Sequence, residues 1–351
     1  MKSNVAKHVV VTGLLATDNP YPGLGIARCL RLSPEFTGTI SAFVFEPLSN
    51  GVFDGGIIDR AFIVPYPAAG CDVLFERIRC IHEHRPIDVI LPSLDSEVSL
   101  YAELAGPLRN LGIGTLLPPP SQVKLRAKNL LYEFGLEEGI RVPKTLLLNN
   151  IEEIRPKVKE AGIPFLLKGI LNDARICASV EEGERCYEEL YALWGYPILL
   201  QSFVAGEEFD VIALADTSAE MVGAVAMKKF GLTDKGKAFA GLTVEDDGLL
   251  RLTAEILRKL RWTGPIECEF IRDRAGDLYL MEVNSRFPSW LYLSAAAGQN
   301  LPLAAVRLAA GLPAEPMRRY AAGKLFIRTV ADRIVDAEPL LALAAAGEMR
   351  V

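Results

Sequence analysis

The residues of this chain with the most chemical potential lie between Pro265 and Arg286, in the run Pro-Ile-Glu-Cys-Glu-Phe-Ile-Arg-Asp-Arg-Ala-Gly-Asp-Leu-Tyr-Leu-Met-Glu-Val-Asn-Ser-Arg. The run reads as a β-hairpin with Arg274–Asp277 as its loop, four residues being a common hairpin length. That loop sets Glu269 directly opposite Glu282. Side chains alternate along a strand, so Glu267 joins Glu269 on one face, Asn284 joins Glu282, and Arg286 continues the same face. Like charges directly opposite each other repel. A hard cation relieves that repulsion, and oxygen donors suit magnesium, which takes one or two carboxylates plus substrate phosphates. A guanidinium beside such an ion is suited to hold a phosphate or acyl-phosphate oxygen. A plainer account stays open: a solvated acidic sheet face, with Arg286 paired to one of its carboxylates.

Three units are expected to position this hairpin. In the first, strands at His8–Thr12, Thr39–Phe45, Ala61–Val64 and Asp88–Leu91 alternate with helices at Ile26–Leu32, Asp72–His84 and Glu97–Leu111. Such alternation predicts a parallel, doubly wound sheet whose ligand loops gather at one edge. The run Pro118-Pro119-Pro120 marks a boundary, and Ser121 is placed to cap a helix carrying Lys124, Arg126 and Lys128. The second unit has strands at Lys144–Leu148, Phe165–Lys168, Arg175–Ser179 and Pro197–Gln201, with helices at Ile151–Ala161 and Glu181–Leu193. The third starts near Phe203, pairs Glu208–Ala215 with Met221–Met227, and adds a helix at Gly248–Leu260 before the hairpin. Leu301–Leu312 and Leu340–Ala346 read as helices.

The segments Glu-Cys-Glu-Phe and Leu-Met-Glu-Val-Asn-Ser-Arg resemble the metal-binding end of the ATP-grasp superfamily, in particular the branch with biotin carboxylase and the carbamoyl-phosphate synthetase halves. The resemblance covers residues 8–312 and carries several implications. Glu269, Glu282 and Asn284 would hold Mg²⁺ or Mn²⁺, and Arg286 would hold the acyl-phosphate oxygens. Lys168, in Pro164-Phe-Leu-Leu-Lys168-Gly169, would contact the phosphates and act in catalysis. Lys128, ahead of the turn Gly139-Ile-Arg-Val-Pro143, would join it. Gln201, Ser202, Phe203 and Val204 would form the adenine hinge, with Gly206 permitting a tight turn and Glu208 on the ribose hydroxyls. Lys228 would be the basic strand-end residue ahead of a flexible loop over residues 231–237. Thr12-Gly13 and the stretch from Pro92 to Glu97 look like ligand-edge loops of a pre-ATP-grasp domain, although Asp95 and Glu97 could equally cap the next helix. Phe287, Trp290 and Tyr292 line either the acceptor pocket or the core.

One departure stands out. Where many family members carry a glycine-rich flap, this chain has Gly169-Ile-Leu-Asn-Asp-Ala-Arg-Ile-Cys177, with a single glycine. Backbone amides of a Gly-rich loop cradle phosphates because no side chain blocks them. Either Asn172 and Arg175 substitute or the flap is shortened.

The resulting expectation is an α/β and α+β protein. Residues 1–120 form the doubly wound parallel-sheet domain, 121–202 the small ATP-grasp subdomain, 203–320 the large one and 321–351 a tail. The implied activity is an ATP- and Mg-dependent carboxylate–amine ligase using small-molecule carboxylate and amine substrates. Carbamoyl-phosphate-type phosphorylation of a small carboxy substrate ranks below it, and a nucleotide-binding protein without turnover is the rival from another class. A Rossmann dehydrogenase finds no G-x-G-x-x-G after the first strand.

Composition sets the outer bounds. The 351 residues are too many for one typical core. A net charge of −6 argues against a nucleic-acid partner. Cys29, Cys71, Cys80, Cys177, Cys186 and Cys268 include no C-x-x-C pair and read as reduced thiols. His82 and His84 flank Glu83 two apart on a helix and so share no face for a metal. The N-terminal apolar run is too short for a signal peptide, and none reaches the roughly 18 residues of a membrane span. The expectation is a cytoplasmic protein, off the membrane, with room for a homodimer.

Overall fold

The computed structural model describes residues 5–17, 20–124, 127–169, 173–233 and 237–350. The β-branched run His-Val-Val-Val-Thr forms β1 (His8–Thr12), which pairs in parallel with β2 (Thr39–Val44) on one side and β4 (Val89–Leu91) on the other; β3 (Arg60–Ile63) lies outside β2. The direction of winding therefore reverses between β1 and β4, where an open α/β sheet leaves a crevice at its carboxyl edge. Alternation along β1 sends Val10 to the core under α2 (Cys71–His84) and α3 (Asp95–Asn110), and Val9 and Val11 to the core holding α1 (Gly23–Arg31). Gly23 is required where α1 meets β1: a Cβ there would lie 1.9 Å from the Thr12 carbonyl oxygen.

The helix expected after the triple proline is split. α4 is one turn, Pro120–Val123, and α5 (Lys128–Glu138) begins at Lys128 and ends on Gly139 in the left-handed conformation. Arg126 lies outside the described residues. The second sheet is antiparallel, in the order β5 (Thr145–Leu148), β8 (Ile198–Ser202), β6 (Phe165–Lys168), β7 (Ala174–Cys177). Helices α6 (Ile154–Ala161) and α7 (Val180–Trp194) cover one face over Phe165, Leu167, Ile198 and Leu200. The period of two then turns Leu166, Lys168, Leu199 and Gln201 to the opposite face.

The third sheet is antiparallel and six-stranded, in the order β13 (Leu278–Asn284), β12 (Gly264–Asp273), β9 (Gly206–Ala215), β10 (Met221–Leu232), β11 (Ala238–Thr243), β14 (Leu325–Ile327). Phe209, Val211, Ala213, Ile266, Cys268 and Phe270 face the amphipathic helix α8 (Asp247–Leu260), which Asp246 caps through the Leu249 amide. Ile212, Leu214, Val225 and Met227 face the other way, into the core shared with β1, β2 and α1. The chain leaves the hairpin through α9 (Tyr292–Ala296) and α10 (Leu301–Ala309).

The stretch expected to be a flexible loop over 231–237 is shorter, since β10 runs through Leu232 and β11 starts at Ala238; residues 234–236 lie outside the described residues. The C-terminal residues are divided between two sheets. β14 borders β11, and beyond α11 (Glu338–Ala346) the strand β15 (Glu348–Arg350) pairs antiparallel with β3. No helix among the described residues is long and apolar enough to cross a membrane.

Candidate functional site

The hairpin register is the expected one at its centre, by a route the sequence did not suggest. The turn closes from Asp273 to Asp277, with Asp273 Oδ1 accepting the amides of Ala275 and Asp277, which sets Arg272 opposite Leu278. A bulge between Glu269 and Phe270 shifts the register back, so Glu269 faces Glu282 and Glu267 faces Asn284. On its other side β12 pairs with β9, and Asp210 is directly opposite Glu269. Glu282, Glu269 and Asp210 thus form one row across three strands. Gly206 opens β9 because a Cβ there would stand 2.1 Å from the Arg272 carbonyl oxygen; close approach, rather than a turn, is what it permits.

Glu267 is the most fully bonded of these acids. It accepts from Trp290 Nε1 at 2.8 Å, Asn284 Nδ2 at 3.1 Å and Arg286 Nη1 at 3.2 Å. Asn284 Nδ2 also donates to Glu269 Oε1 at 3.2 Å, which leaves its amide oxygen as the atom to offer a cation. Arg286 turns its Nε to Asp95 Oδ2 at 2.9 Å, tying the hairpin to the loop after β4. Asp95 is the first residue of α3, whose N-cap is Leu94, and Glu97, buried, accepts from Thr12 Oγ1 at 2.5 Å and reaches back to the backbone amides of Ser93 and Leu94, closing the start of the helix. Burial holds the Glu97 carboxyl up at about 7 against the hydrogen bonds that lower it.

Lys229 lies among the acids. Its Nζ is 2.9 Å from Glu269 Oε2, 3.0 Å from Asp210 Oδ1 and 3.5 Å from Glu208 Oε2. Lys228, the residue expected at this position, turns to Glu207 on the other face. The registers explain the exchange: Met227 pairs with Asp210, so residues 227 and 229 share the acidic face and 228 does not. The side chain of Lys229 is 8% exposed and that of Lys228 31%.

Burial raises the carboxyls of Asp210 and Glu267, and for Asp210 it outweighs the Lys229 ammonium. Burial also pushes Glu269 up, but Lys229, Lys237 and Arg286 overcome it and hold that carboxyl at about 2.

The second sheet supplies the opposite wall. Lys128, at the first position of α5, brings its Nζ to 3.3 Å from Glu282 Oε2. Lys168, on the helix-free face of β6, is buried; desolvation and the nearby Lys128 lower its pKa to about 8, opposed by Glu282 and Glu269. Next to it Gln201 is buried, donating through Nε2 to Thr145 Oγ1 at 2.9 Å, with its Oε1 unpartnered among the described residues. The Ser202 amide is bonded to the Lys144 carbonyl at 2.9 Å and its hydroxyl to the Ala161 carbonyl. Phe203 is exposed, and Val204 follows it into the segment that joins the two sheets. Of the flap residues, Asn172 lies outside the described residues, and Arg175 is exposed on β7.

The set Glu269, Glu282 and Asn284 offers only hard oxygen donors. Two of its carboxylates stand directly opposite each other, and Glu282, 35% exposed, has Lys128 as its neighbouring cation. The set therefore fits a hard divalent cation. The sequence reading did not assign Asp210 and Lys229, which the structure brings to this face. The register of β9, β10 and β12 is what turns both to this face, so strand periodicity alone could not assign them. Arg328, just after β14, is half-buried with neutral partners: Ser289 Oγ at 2.9 Å, the Ala238 carbonyl at 3.4 Å and the Phe326 ring. Phe287 and Trp290 are core residues, whereas Tyr292 is exposed.

Residues 196–331 match the family described as ATP-grasp in the biosynthetic pathway with Ter operon. Among curated proteins, the chain is 24% identical over 182 residues to the arginine-specific large chain of carbamoyl phosphate synthase from Geobacillus stearothermophilus, covering 46% of this chain and 16% of that one. It is 24% identical over 152 residues to phosphoribosylamine–glycine ligase from Helicobacter pylori, covering 41% and 36%. The chain thus spans well under two thirds of either relative. Among solved structures, the biotin carboxylase domain dimer of Hydrogenobacter thermophilus 2-oxoglutarate carboxylase, in complex with MgADP, ADP and bicarbonate, superposes with a TM-score of 0.69 at 20% identity, covering 90% of this chain and 72% of that one. The chain has the ATP-grasp fold, and its residues 196–331 match an ATP-grasp family.

Proposed function

We propose that this chain is an ATP- and Mg²⁺- or Mn²⁺-dependent carboxylate–amine ligase. The observation that carries the reading is the facing of Lys128 and Lys168 toward Glu282 and Glu269, with Lys128 and Glu282 3.3 Å apart. Cations on one wall and oxygen donors on the other suit a polyphosphate between them. The hinge from Gln201 to Val204 is the proposed adenine edge, with Glu208 at the ribose. Glu269, Glu282 and Asn284 are the proposed divalent-ion ligands; the ion would offset charge on the transferred phosphoryl group.

In the first step a substrate carboxylate oxygen attacks the γ-phosphorus of ATP, the bond to the β-phosphate oxygen breaks, and ADP leaves. Lys168 and Lys128 neutralise the phosphoryl oxygens. In the second, an amine nitrogen attacks the acyl carbon, phosphate departs with the electrons of the acyl C–O bond, and the ammonium product loses a proton to solvent. Arg286, held by Asp95 and Glu267, is placed to steady the acyl-phosphate oxygens, so little beyond positioning is asked of the amine. Arg328 and the exposed Tyr292 border the loop after the hairpin and are proposed to face the acceptor.

The proposal takes the substrates to be small molecules rather than nucleic acid and the working place to be the cytoplasm. It takes residues 1–120, 121–202 and 203–320 as the three functional units, with a homodimer as the assembly. Hydroxylamine trapping tests the chemistry. With ATP, Mg²⁺ and pooled carboxylic acids, hydroxamate and ADP should form together. ATP binding without substrate-dependent ADP from any pool would sink the ligase reading in favour of a nucleotide binder, and carbamoyl phosphate formed from bicarbonate, ammonia and two ATP would favour the synthetase-type alternative.

A further inference from the structure

The strand that carries Lys229 ends, at its other extreme, in a cavity. β11 pairs with β10 only over Met227–Leu232. The outer edge of the first half of β10 is met instead by the segment after α10. There the Met317 amide donates to the Val222 carbonyl at 2.6 Å and the Ala226 amide to Tyr320 Oη at 3.2 Å. Between this segment, β10 and Leu250 near the start of α8 lies a cavity of about 380 Å³, the size of a small-molecule site. Ala224, in its wall, is about 17 Å from Lys229 at roughly 3.4 Å per strand residue. The cavity is thus separate from the acidic face.

The polar atoms left over in its wall are acceptors. Gln299 is 1% exposed and spends its Nε2 on the Met317 and Arg319 carbonyls, while its Oε1 is buried without a partner among the described residues. Gly223 makes room for that oxygen, since a Cβ there would stand 2.7 Å from it. The carbonyls of Val222 and Ala226 turn outward to the amides of Met317 and Val244. Strand alternation turns the Ala224 carbonyl between them to the same edge, where no hydrogen bond meets it among the described residues. Buried acceptors are normally satisfied. At the rim stand Glu220 and Arg318, both exposed. Met221, Leu250, Pro316 and Met317 form the apolar wall.

We propose that this cavity is a second ligand site, for an α-amino acid with an apolar side chain. The ammonium group has three donors for the acceptors and Glu220. Arg318 takes the carboxylate, and the two methionines adapt to the side chain. The proposal does not depend on the ligase reading. L-Leucine added to the full chain without nucleotide is the probe, and the methyl resonances of the six methionines are the readout, assigned with Met221→Leu and Met317→Leu. The Met221 and Met317 methyls should shift together and saturate, with a Kd of about 1 mM or tighter. L-Leucinamide, which lacks the carboxylate, and 4-methylpentanoate, which lacks the ammonium, should each bind about tenfold more weakly. Arg318→Met should weaken leucine by about as much, and Leu250→Trp, which fills the cavity, should abolish binding. Neither residue borders the cleft, so ATP binding should be unchanged in both. No shift of either methyl up to about 10 mM leucine would overturn the proposal, as would binding that survives Leu250→Trp or that ATP displaces. If Leu250→Trp does not fold, Arg318→Met and the two analogues still decide it, and undiminished binding in all three would sink the assignment.

Discussion

Lys168 makes a prediction that separates function from stability. Burial and the neighbouring Lys128 lower its pKa from 10.5 to about 8 in the ligand-free chain. Below pH 8 the lysine is charged in both folded and unfolded states, and the folded state bears the whole desolvation cost. Between pH 8 and 10.5 the folded chain has released the proton while the unfolded chain still holds it, so stability rises with pH across that window. Above 10.5 both are neutral and the cost is gone. At about 1.4 kcal/mol per pH unit, the charged form opposes folding by about 3 kcal/mol. Lys168→Met keeps the stem and removes the charge, so it should raise unfolding stability at pH 7 by about 2–3 kcal/mol. The gap should close toward pH 10.5. Urea unfolding of both chains without ligand at pH 7 and pH 10 measures it, with hydrogen exchange in the four-stranded sheet as the local reading. The same variant should lose nucleotide binding, because the cost is borne to present an unneutralised ammonium to phosphate. Calorimetry at pH 8 in two buffers of different ionisation enthalpy should show proton uptake when ATP binds to the wild type. A Lys168→Met chain no more stable at pH 7, or a gap unchanged at pH 10, would refute this account of the buried charge.

Other consequences concern the hairpin and its supports. Glu282→Gln should weaken Mn²⁺ binding by about tenfold or more, read from the loss of the free-ion EPR signal on Mn²⁺ titration with saturating ADP, while changing stability by less than about 1 kcal/mol because its ion pair is partly solvated. Asp95→Asn leaves Arg286 with Glu267 as its remaining carboxylate. The KM for the carboxylate substrate should rise by about tenfold with that for ATP unchanged, in a coupled ADP-release assay. Trp290→Phe removes a donor to the buried Glu267. It should cost about 1–3 kcal/mol in thermal or urea unfolding, and a variant as stable as the wild type would show that the bond contributes nothing.

The sequence was most legible where the signal is local. Phe165–Lys168 is bounded as its apolar run and proline predict, and the parallel sheet follows from the alternation of β-rich and helical segments. The opposition of Glu269 and Glu282 could be read from loop length, although two departures, a turn that closes on Asp277 instead of Leu278 and a bulge, had to cancel for the reading to hold. Lys228 shows the limit. Met227-Lys228-Lys229 offers two lysines in sequence, and which of them faces the acids depends on how β10 sits against β9, with residues contributed by two strands. Hydrophobicity could not flag Asp210, because it lies in a strand whose next five residues, 211–215, are all apolar and buried.

The sequence alone determined which residue types were present to bind a cation and phosphates, because two carboxylates and an amide on one hairpin are fixed by covalent order and a strand period of two. Only the tertiary structure decided how those charges are balanced. Lys229 became a partner of Asp210 and Glu269 through the register of β10, β9 and β12 within one sheet, whereas Lys128 with Glu282 and Asp95 with Arg286 join segments far apart in the chain. The physical reason is that charge balance in a buried site depends on distance and desolvation, and both are set when strands come into register and separate elements pack together rather than by neighbours in sequence.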